Sequence, residues 1–219
     1  MQFTDRINRV RVSLTIGMAK KAREMKAEGK DVISLSLGEP DFDTPQHIKD
    51  AAEKAIAAGK TKYPPVGGIP ELKQAICNKL KRENGLNYSP AQVMVSTGAK
   101  QCIMNCMLSL VQAGDEVLIP LPYWVSYSEM VRFAGAKPVF VPATYDDGFR
   151  LDLDALQAMT NERTKLIIFS SPSNPSGSLL NKAELKAIAD LALANPQLTI
   201  ISDEIYEHIV FDEEFQSIS

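Results

Sequence analysis

After residue 90, short apolar runs alternate with segments that have helical length and periodicity. Strands are predicted at residues 93–95, 116–119, 139–141, 165–170 and 198–202. Helices are predicted between them, at residues 99–112, 127–133, 153–159 and 182–194. Helices of this length act as crossover connections, which place successive strands parallel in a sheet covered on both faces. The pattern predicts an α/β fold with three layers, α/β/α, around a mainly parallel mixed sheet.

The first part of the chain does not follow this alternation. Helices are predicted at residues 15–29, 45–59 and 70–85, and a short strand at residues 32–37. We interpret residues 1–45 as an N-terminal arm with the start of a small domain. Residues 46–219 are interpreted as a large domain that is incomplete at its C-terminus.

The composition is that of a soluble globular protein. Apolar residues make up 45% and charged residues 23% of the chain, and the formal net charge is −3. Because the basic residues are spread along the chain, no nucleic-acid groove is predicted. No apolar run reaches membrane-spanning length and no secretory signal is visible, so we predict a cytoplasmic protein. The three cysteines form no CxxC pair and the two histidines are widely separated, so no metal site is predicted.

Three loops follow predicted strands and carry residues suited to an anionic, planar ligand. In the first, Ser96-Thr97-Gly98-Ala99-Lys100, a glycine turn leads into a helix whose first amides have no internal partner, which favours phosphate binding. The second, Pro120-Leu121-Pro122-Tyr123-Trp124, presents an indole that can stack on a planar heterocycle. The alternatives are a simple turn for the first loop and a core tryptophan for the second.

The third loop, Ser173-Asn174-Pro175-Ser176-Gly177, offers an amide held by a proline-restricted backbone. A capped turn would explain its proline and glycine but not its asparagine. The last strand ends in Asp203, with Tyr206 three residues later. A carboxylate at a strand tip suits the crevice at the carboxyl edge of an α/β sheet. A helix N-cap would explain Asp203 alone.

In order and context, these motifs resemble the class I/II pyridoxal-phosphate-dependent aminotransferases of the aspartate aminotransferase type, over essentially the whole chain. The resemblance implies fold type I, with the large domain binding pyridoxal 5′-phosphate. It also implies that the backbone of Gly98, Ala99 and Lys100 holds the cofactor phosphate. Asp203 would then pair with the pyridine nitrogen, and Tyr206 would donate to the phenolate oxygen.

The resemblance assigns further residues to the cofactor and the substrate. Trp124 would cover the cofactor ring and contact the substrate, and Asn174 would bind the ring oxygen near the substrate carboxylate. Tyr63 would reach the cofactor phosphate of a partner subunit in a homodimer with shared active sites, although it could also be a surface residue. The backbone of Gly38 would approach the substrate carboxylate, with a plain turn as the alternative.

One element of the family pattern is missing. No lysine follows Tyr206, and Lys182 lies outside the family's lysine motif, so the Schiff-base lysine is expected beyond Ser219. In one account the chain is the N-terminal part of a longer aminotransferase. In the other it is a catalytically dead fragment or a cofactor-binding module. The first account predicts transfer of the amino group of aspartate to 2-oxoglutarate, and the same fold also hosts aromatic and prephenate aminotransferases and lyases.

Overall fold

The computed structural model describes residues 2–11, 13–36, 38 and 41–219. The chain divides into two packed units, one formed by Met1–Arg11 with Pro70–Ser219 and the other by Val12–Ile69. The domain boundary predicted between residues 45 and 46 stays a prediction. In the part of the chain that is described, no helix is both long and apolar enough to cross a membrane.

The elements follow the predicted order closely. The helices are α1 (Asp5–Asn8), α2 (Leu14–Ala27), α3 (Gln46–Ala57), α4 (Pro70–Asn84), α5 (Ala99–Leu110), α6 (Ser126–Ala134), α7 (Leu153–Met159) and α8 (Lys182–Ala194). The strands are β1 (Glu116–Pro120), β2 (Lys137–Val141), β3 (Thr164–Ser170) and β4 (Thr199–Asp203). The short helix α1 and a 3₁₀ turn at Pro90–Gln92 were not predicted.

The four strands form one parallel sheet in the order β2-β1-β3-β4. The chain runs from β1 to one side of the sheet and then returns to β3 on the other side. The strand order therefore reverses between β1 and β3, and a crevice opens at such a switch point, outside the carboxyl ends of the strands. The loops after β1 and β3 border this crevice.

Alternate residues of the central strands pack into two separate cores, as a sheet covered on both faces requires. On one face, Val117, Ile119, Leu166 and Ile168 pack with residues of α5 and α6. On the other face, Leu118, Ile167 and Phe169 pack with residues of α7 and α8. These two cores confirm the predicted three-layer arrangement.

Two buried carboxylates, Glu184 and Glu116, have hydrogen-bond or ion-pair partners on both oxygens. Glu184 accepts hydrogen bonds from the amides of Asn181 (2.8 Å) and Leu151 (3.1 Å) and pairs with Arg150 at 3.2 Å. It thereby caps α8 and ties it to the chain before α7.

At the start of β1, Glu116 accepts from the Asn161 amide at 2.8 Å, and Lys137 and Arg163 lie 3.1 Å and 3.0 Å away. The Glu184 cluster lies at the end of the loop after β3, where Arg150 also donates to the Leu179 carbonyl at 3.2 Å, and the Glu116 cluster lies at the opposite end of the strands.

Two predicted strands are wrong. Val93 has extended dihedral angles (φ −111°, ψ 129°), but residues 93–95 pair with no strand among the described residues. Residues 32–36 likewise form no strand, and Leu37 lies outside the described residues. Apolar and β-branched residues favour a strand, but a strand also requires a hydrogen-bonded neighbour, which a local pattern cannot provide.

Candidate active site

The strand ends bring the predicted loops to one edge of the sheet. Ser170 ends β3 and Asp203 ends β4, and the two residues are register partners. The amide of Ser171 continues the pairing by donating to the Asp203 carbonyl at 3.2 Å. Polar side chains at the tips of neighbouring parallel strands therefore face the same crevice.

The Asp203 carboxylate is half-buried and has a partner on each oxygen. Its Oδ2 accepts a hydrogen bond from the Tyr127 hydroxyl at 2.7 Å, and its Oδ1 accepts from the amide of Ile205 at 3.3 Å. A hydrogen-bonded turn follows Asp203, with the Glu207 amide donating to the Glu204 carbonyl at 3.0 Å. No helix begins there, so the N-cap alternative is wrong.

Tyr127 is a residue of the candidate site that sequence reasoning missed. It lies in the first turn of α6 with only 1% of its surface exposed. Burial raises the pKa of the Tyr127 phenol far above its usual range, and the hydrogen bond to Asp203 adds to the shift. The phenol therefore stays protonated and acts as a donor. Its position three residues after Trp124, at the same loop-to-helix junction, was the available signal.

Trp124 links the loop after β1 to two other parts of the site. Its ring meets the Tyr127 ring edge-on, with centroids 5.4 Å apart at 87°. The ammonium of Lys100 lies 4.9 Å from the centroid of the Trp124 ring, within the range of a cation–π contact. Trp124 is half-buried and also packs against the core on the α5 and α6 side of the sheet. The core-anchor alternative therefore explains the packing of Trp124 against the core. It does not explain the contact with Lys100.

The glycine turn before α5 has the geometry of an anion site. Gly98 adopts φ 79° and ψ 163°, and its carbonyl accepts the amides of Gln101 and Cys102. Among the residues the structure describes, the amides of Ala99 and Lys100 have no hydrogen-bond partner. Gly98, Ala99 and Lys100 are exposed. Free amides at the N-terminus of a three-turn helix suit a phosphate group.

Asn174 and Tyr206 meet across the ends of β3 and β4. The Asn174 side-chain amide donates to the Tyr206 hydroxyl at 3.4 Å, and its backbone amide donates to the Ser170 hydroxyl at 3.2 Å. The loop also forms a turn of its own, because the Gly177 amide donates to the Ser173 carbonyl at 2.8 Å. The turn alternative thus explains the loop backbone, and the contact with Tyr206 explains the asparagine side chain.

The turn that carries Tyr206 is held to α4 by its neighbour, Glu207. The Glu207 carboxylate accepts hydrogen bonds from the Lys79 ammonium and from the Asn84 amide, the latter at 3.1 Å. Burial opposes ionisation, but these two donors outweigh it, so the pKa of Glu207 lies below its usual range. The turn is therefore fixed by an ionised, half-buried pair directly beside Tyr206.

Two predicted site residues lie in the other packed unit. Tyr63 and Gly38 belong to Val12–Ile69, and both are exposed there. Their roles at the site stay predictions. Leu37, Glu39 and Pro40, in the loop that carries Gly38, lie outside the described residues.

Comparison with known proteins gives consistent matches. A sequence profile of the family described as aminotransferase class I and II matches residues 30–219. An aspartate/prephenate aminotransferase of Cereibacter sphaeroides is 54% identical over 211 residues, which cover 96% of this chain and 53% of that protein. An aspartate aminotransferase of Rhizobium meliloti is 45% identical over 211 residues, which cover 96% of this chain and 52% of that protein. The chain spans about half the length of the curated relatives it matches.

Solved structures match over nearly the whole chain. The aspartate aminotransferase from Thermus thermophilus with maleate superposes with a TM-score of 0.96 at 42% identity, covering 100% of this chain and 57% of that one. An alanine aminotransferase from Pyrococcus furiosus superposes with a TM-score of 0.94 at 33% identity, covering 99% of this chain and 56% of that one. These matches confirm the predicted fold class.

Proposed function

The chain belongs to the class I and II aminotransferase family, and on this premise we propose that the protein transfers the amino group of aspartate to 2-oxoglutarate with pyridoxal 5′-phosphate as its cofactor. The observation that carries the proposal is the Asp203 carboxylate, held by Tyr127 at 2.7 Å at the tip of β4. A carboxylate in this crevice is suited to bind a protonated ring nitrogen.

The donor set of the site fits pyridoxal phosphate in four respects. The free amides of Ala99 and Lys100 suit a phosphate. Asp203 suits the ring nitrogen, and the Asn174–Tyr206 pair offers donors to a phenolate oxygen. Trp124 offers an aromatic surface to a planar ring. A run of contacts from Lys100 through Trp124 and Tyr127 to Asp203 joins the phosphate end to the nitrogen end.

When bound, pyridoxal phosphate supplies an electron-withdrawing ring that stabilises negative charge at the α-carbon of the amino acid. Asp203 stabilises the proton on the ring nitrogen, because an opposite charge nearby favours the charged form of the ring. The Asn174 amide and the Tyr206 hydroxyl donate to the ring oxygen and fix the orientation of the ring. The backbone at Gly98, Ala99 and Lys100 anchors the phosphate.

Two relatives support a dicarboxylic substrate. The Rhizobium meliloti relative is an aspartate aminotransferase, and the Thermus thermophilus enzyme was solved with maleate, a short dicarboxylate. A second candidate is amino transfer to prephenate, favoured by the name of the Cereibacter sphaeroides relative. A panel of amino donors, each offered with 2-oxoglutarate, oxaloacetate or prephenate, separates the two candidates. A protein that neither turns over aspartate with 2-oxoglutarate nor transfers an amino group from any donor to prephenate would contradict both.

We also propose a cytoplasmic homodimer in which Tyr63 and Gly38 serve the phosphate and the substrate carboxylate as the family resemblance implies. Large apolar side chains that are exposed in the second unit support an interface there: Ile33, Leu35, Phe42 and Val66. Burying such side chains against a second subunit would remove apolar surface from water. The molar mass in solution, measured by light scattering, tests the dimer.

Asp203→Asn tests the role of the carboxylate. The amide has nearly the same shape but no negative charge, so we expect turnover to fall by roughly 100-fold or more with little change in folding. The measurement is kcat of the full-length protein with aspartate and 2-oxoglutarate, with circular dichroism as the check on folding.

The exposed Asp212 provides the matched control, since Asp212→Asn removes the same charge from a surface position. Near-normal turnover in Asp203→Asn would contradict the assignment. A protein that binds the cofactor but transfers no amino group from any donor would instead be a cofactor-binding module.

A further inference from the structure

Tyr127 occupies an unusual position between two parts of the site. Its hydroxyl contacts the Asp203 carboxylate at 2.7 Å, and its ring supports the edge of Trp124 at 5.4 Å. Asp203 is the last residue of β4 and Trp124 lies in the loop after β1, so this one side chain joins the ends of two strands. Nothing else described at the site makes both contacts.

We propose that Tyr127 is a positioning residue that orients the Asp203 carboxylate toward the ring nitrogen of the bound cofactor. The inference rests on the proposed function and adds to it a residue that does not itself touch the cofactor.

The orientation follows from the two bonds that the carboxylate accepts. The bond from Tyr127 is 2.7 Å long, which is a well-formed O–H···O hydrogen bond. The bond from the Ile205 amide is longer, at 3.3 Å, and comes from a local turn. Removing the Tyr127 hydroxyl would leave only this weaker contact, and the carboxylate could then rotate away from the crevice.

The Tyr127 side chain is itself rigid. It is buried in the core on the α5 and α6 side of the sheet, and its amide donates to the Trp124 carbonyl at 3.0 Å. Because burial raises the pKa of the phenol, the hydroxyl remains a donor throughout the neutral range. Tyr127 can therefore hold the carboxylate in one orientation before any ligand arrives, which lowers the cost of binding.

A Tyr127–Asp203 hydrogen bond that only stabilises the fold would have different effects from one that orients the carboxylate. A structural bond would affect folding, and would weaken every ligand of the crevice alike. A positioning bond would affect only ligands that present a ring nitrogen to Asp203. The comparison of two ligands that differ at that one atom separates the two roles.

The experiment measures binding of pyridoxamine 5′-phosphate, and of its carbocyclic analogue with C–H in place of the ring nitrogen, to the full-length apoprotein by calorimetry. For Tyr127→Phe we expect the affinity for pyridoxamine phosphate to fall about tenfold, the worth of one hydrogen bond to a charged group. Affinity for the analogue should stay at the wild-type value. In an Asp203→Asn background, Tyr127→Phe should add no further loss.

Tyr123→Phe is the matched control, since Tyr123 lies in the loop just before α6 and its hydroxyl donates to Ser128 at 3.0 Å rather than to Asp203. It should leave the ratio of the two affinities unchanged. Replacing Tyr127 with 4-aminophenylalanine restores a donor on a ring of the same size and should recover the ratio. This second variant also keeps the test decisive if the phenylalanine variant folds poorly.

Equal losses for both ligands in Tyr127→Phe, or no loss for either, would overturn the inference while leaving the proposed function intact. If the wild-type protein binds neither ligand, the proposed function fails and the inference fails with it.

Discussion

Gly98 is the residue at which backbone conformation and the proposed phosphate contact coincide. Its φ of 79° with ψ of 163° lies in a region that is almost restricted to glycine, and an added Cβ would have no atom within 4 Å. The cost of Gly98→Ala is therefore backbone strain rather than a clash. We expect a loss of about 1–3 kcal/mol in the free energy of unfolding, measured with urea, together with weaker binding of pyridoxamine phosphate.

Gly17 provides the control for that substitution. It lies inside α2 with an ordinary helical backbone and equally open surroundings. Gly17→Ala should stabilise the protein by up to about 1 kcal/mol, because alanine has the higher helix propensity. If Gly98→Ala proved as stable as Gly17→Ala, the conformation at residue 98 would be relaxed rather than strained.

At the scale of elements, the contact between α4 and the turn after β4 positions Tyr206. Lys79→Met removes the charged partner of Glu207, and we expect a loss of about 1 kcal/mol in unfolding free energy near pH 7. The folded-state pKa of Glu207 is lowered from its ordinary value of 4.5, so the stabilisation is present above that value. It is lost as the pH falls through the lower folded-state pKa.

The difference between wild type and Lys79→Met should therefore shrink when the pH is lowered from 7 to well below 4.5. Unfolding in urea at both pH values measures it. Lys81→Met, an exposed position on the same helix, should show no such pH dependence. A difference that stays constant between the two pH values would mean that the lysine contributes packing rather than charge.

At the scale of the whole molecule, the proposed dimer predicts complementation between two damaged subunits. In a hybrid of Tyr63→Phe and Asp203→Asn subunits, one site receives Asp203 from its own chain and Tyr63 from the partner chain, and is therefore intact. We expect the mixture to exceed the mean activity of the two parent variants after subunit exchange. Activity that merely equals that mean would show that Tyr63 serves its own subunit.

Much of the architecture was predictable because its causes are local. Hydrophobic periodicity and turn-forming residues act over a few positions. This is why α7 and α8 have the predicted bounds and the other predicted helices differ by only a few residues. The same reasoning failed at residues 93–95 and 32–36, where β-branched and apolar residues pair with no strand in the described part of the chain.

The candidate site divides in the same way. The sequence by itself determined which loops follow strands, and hence that Trp124, Asn174 and Asp203 lie at the carboxyl edge of the sheet. Only the tertiary structure decided that Tyr127 holds Asp203, 76 positions away, and that Lys79 meets Glu207, 128 positions away. Such partners are chosen by packing across the whole fold, and no pattern confined to a few neighbouring residues encodes them.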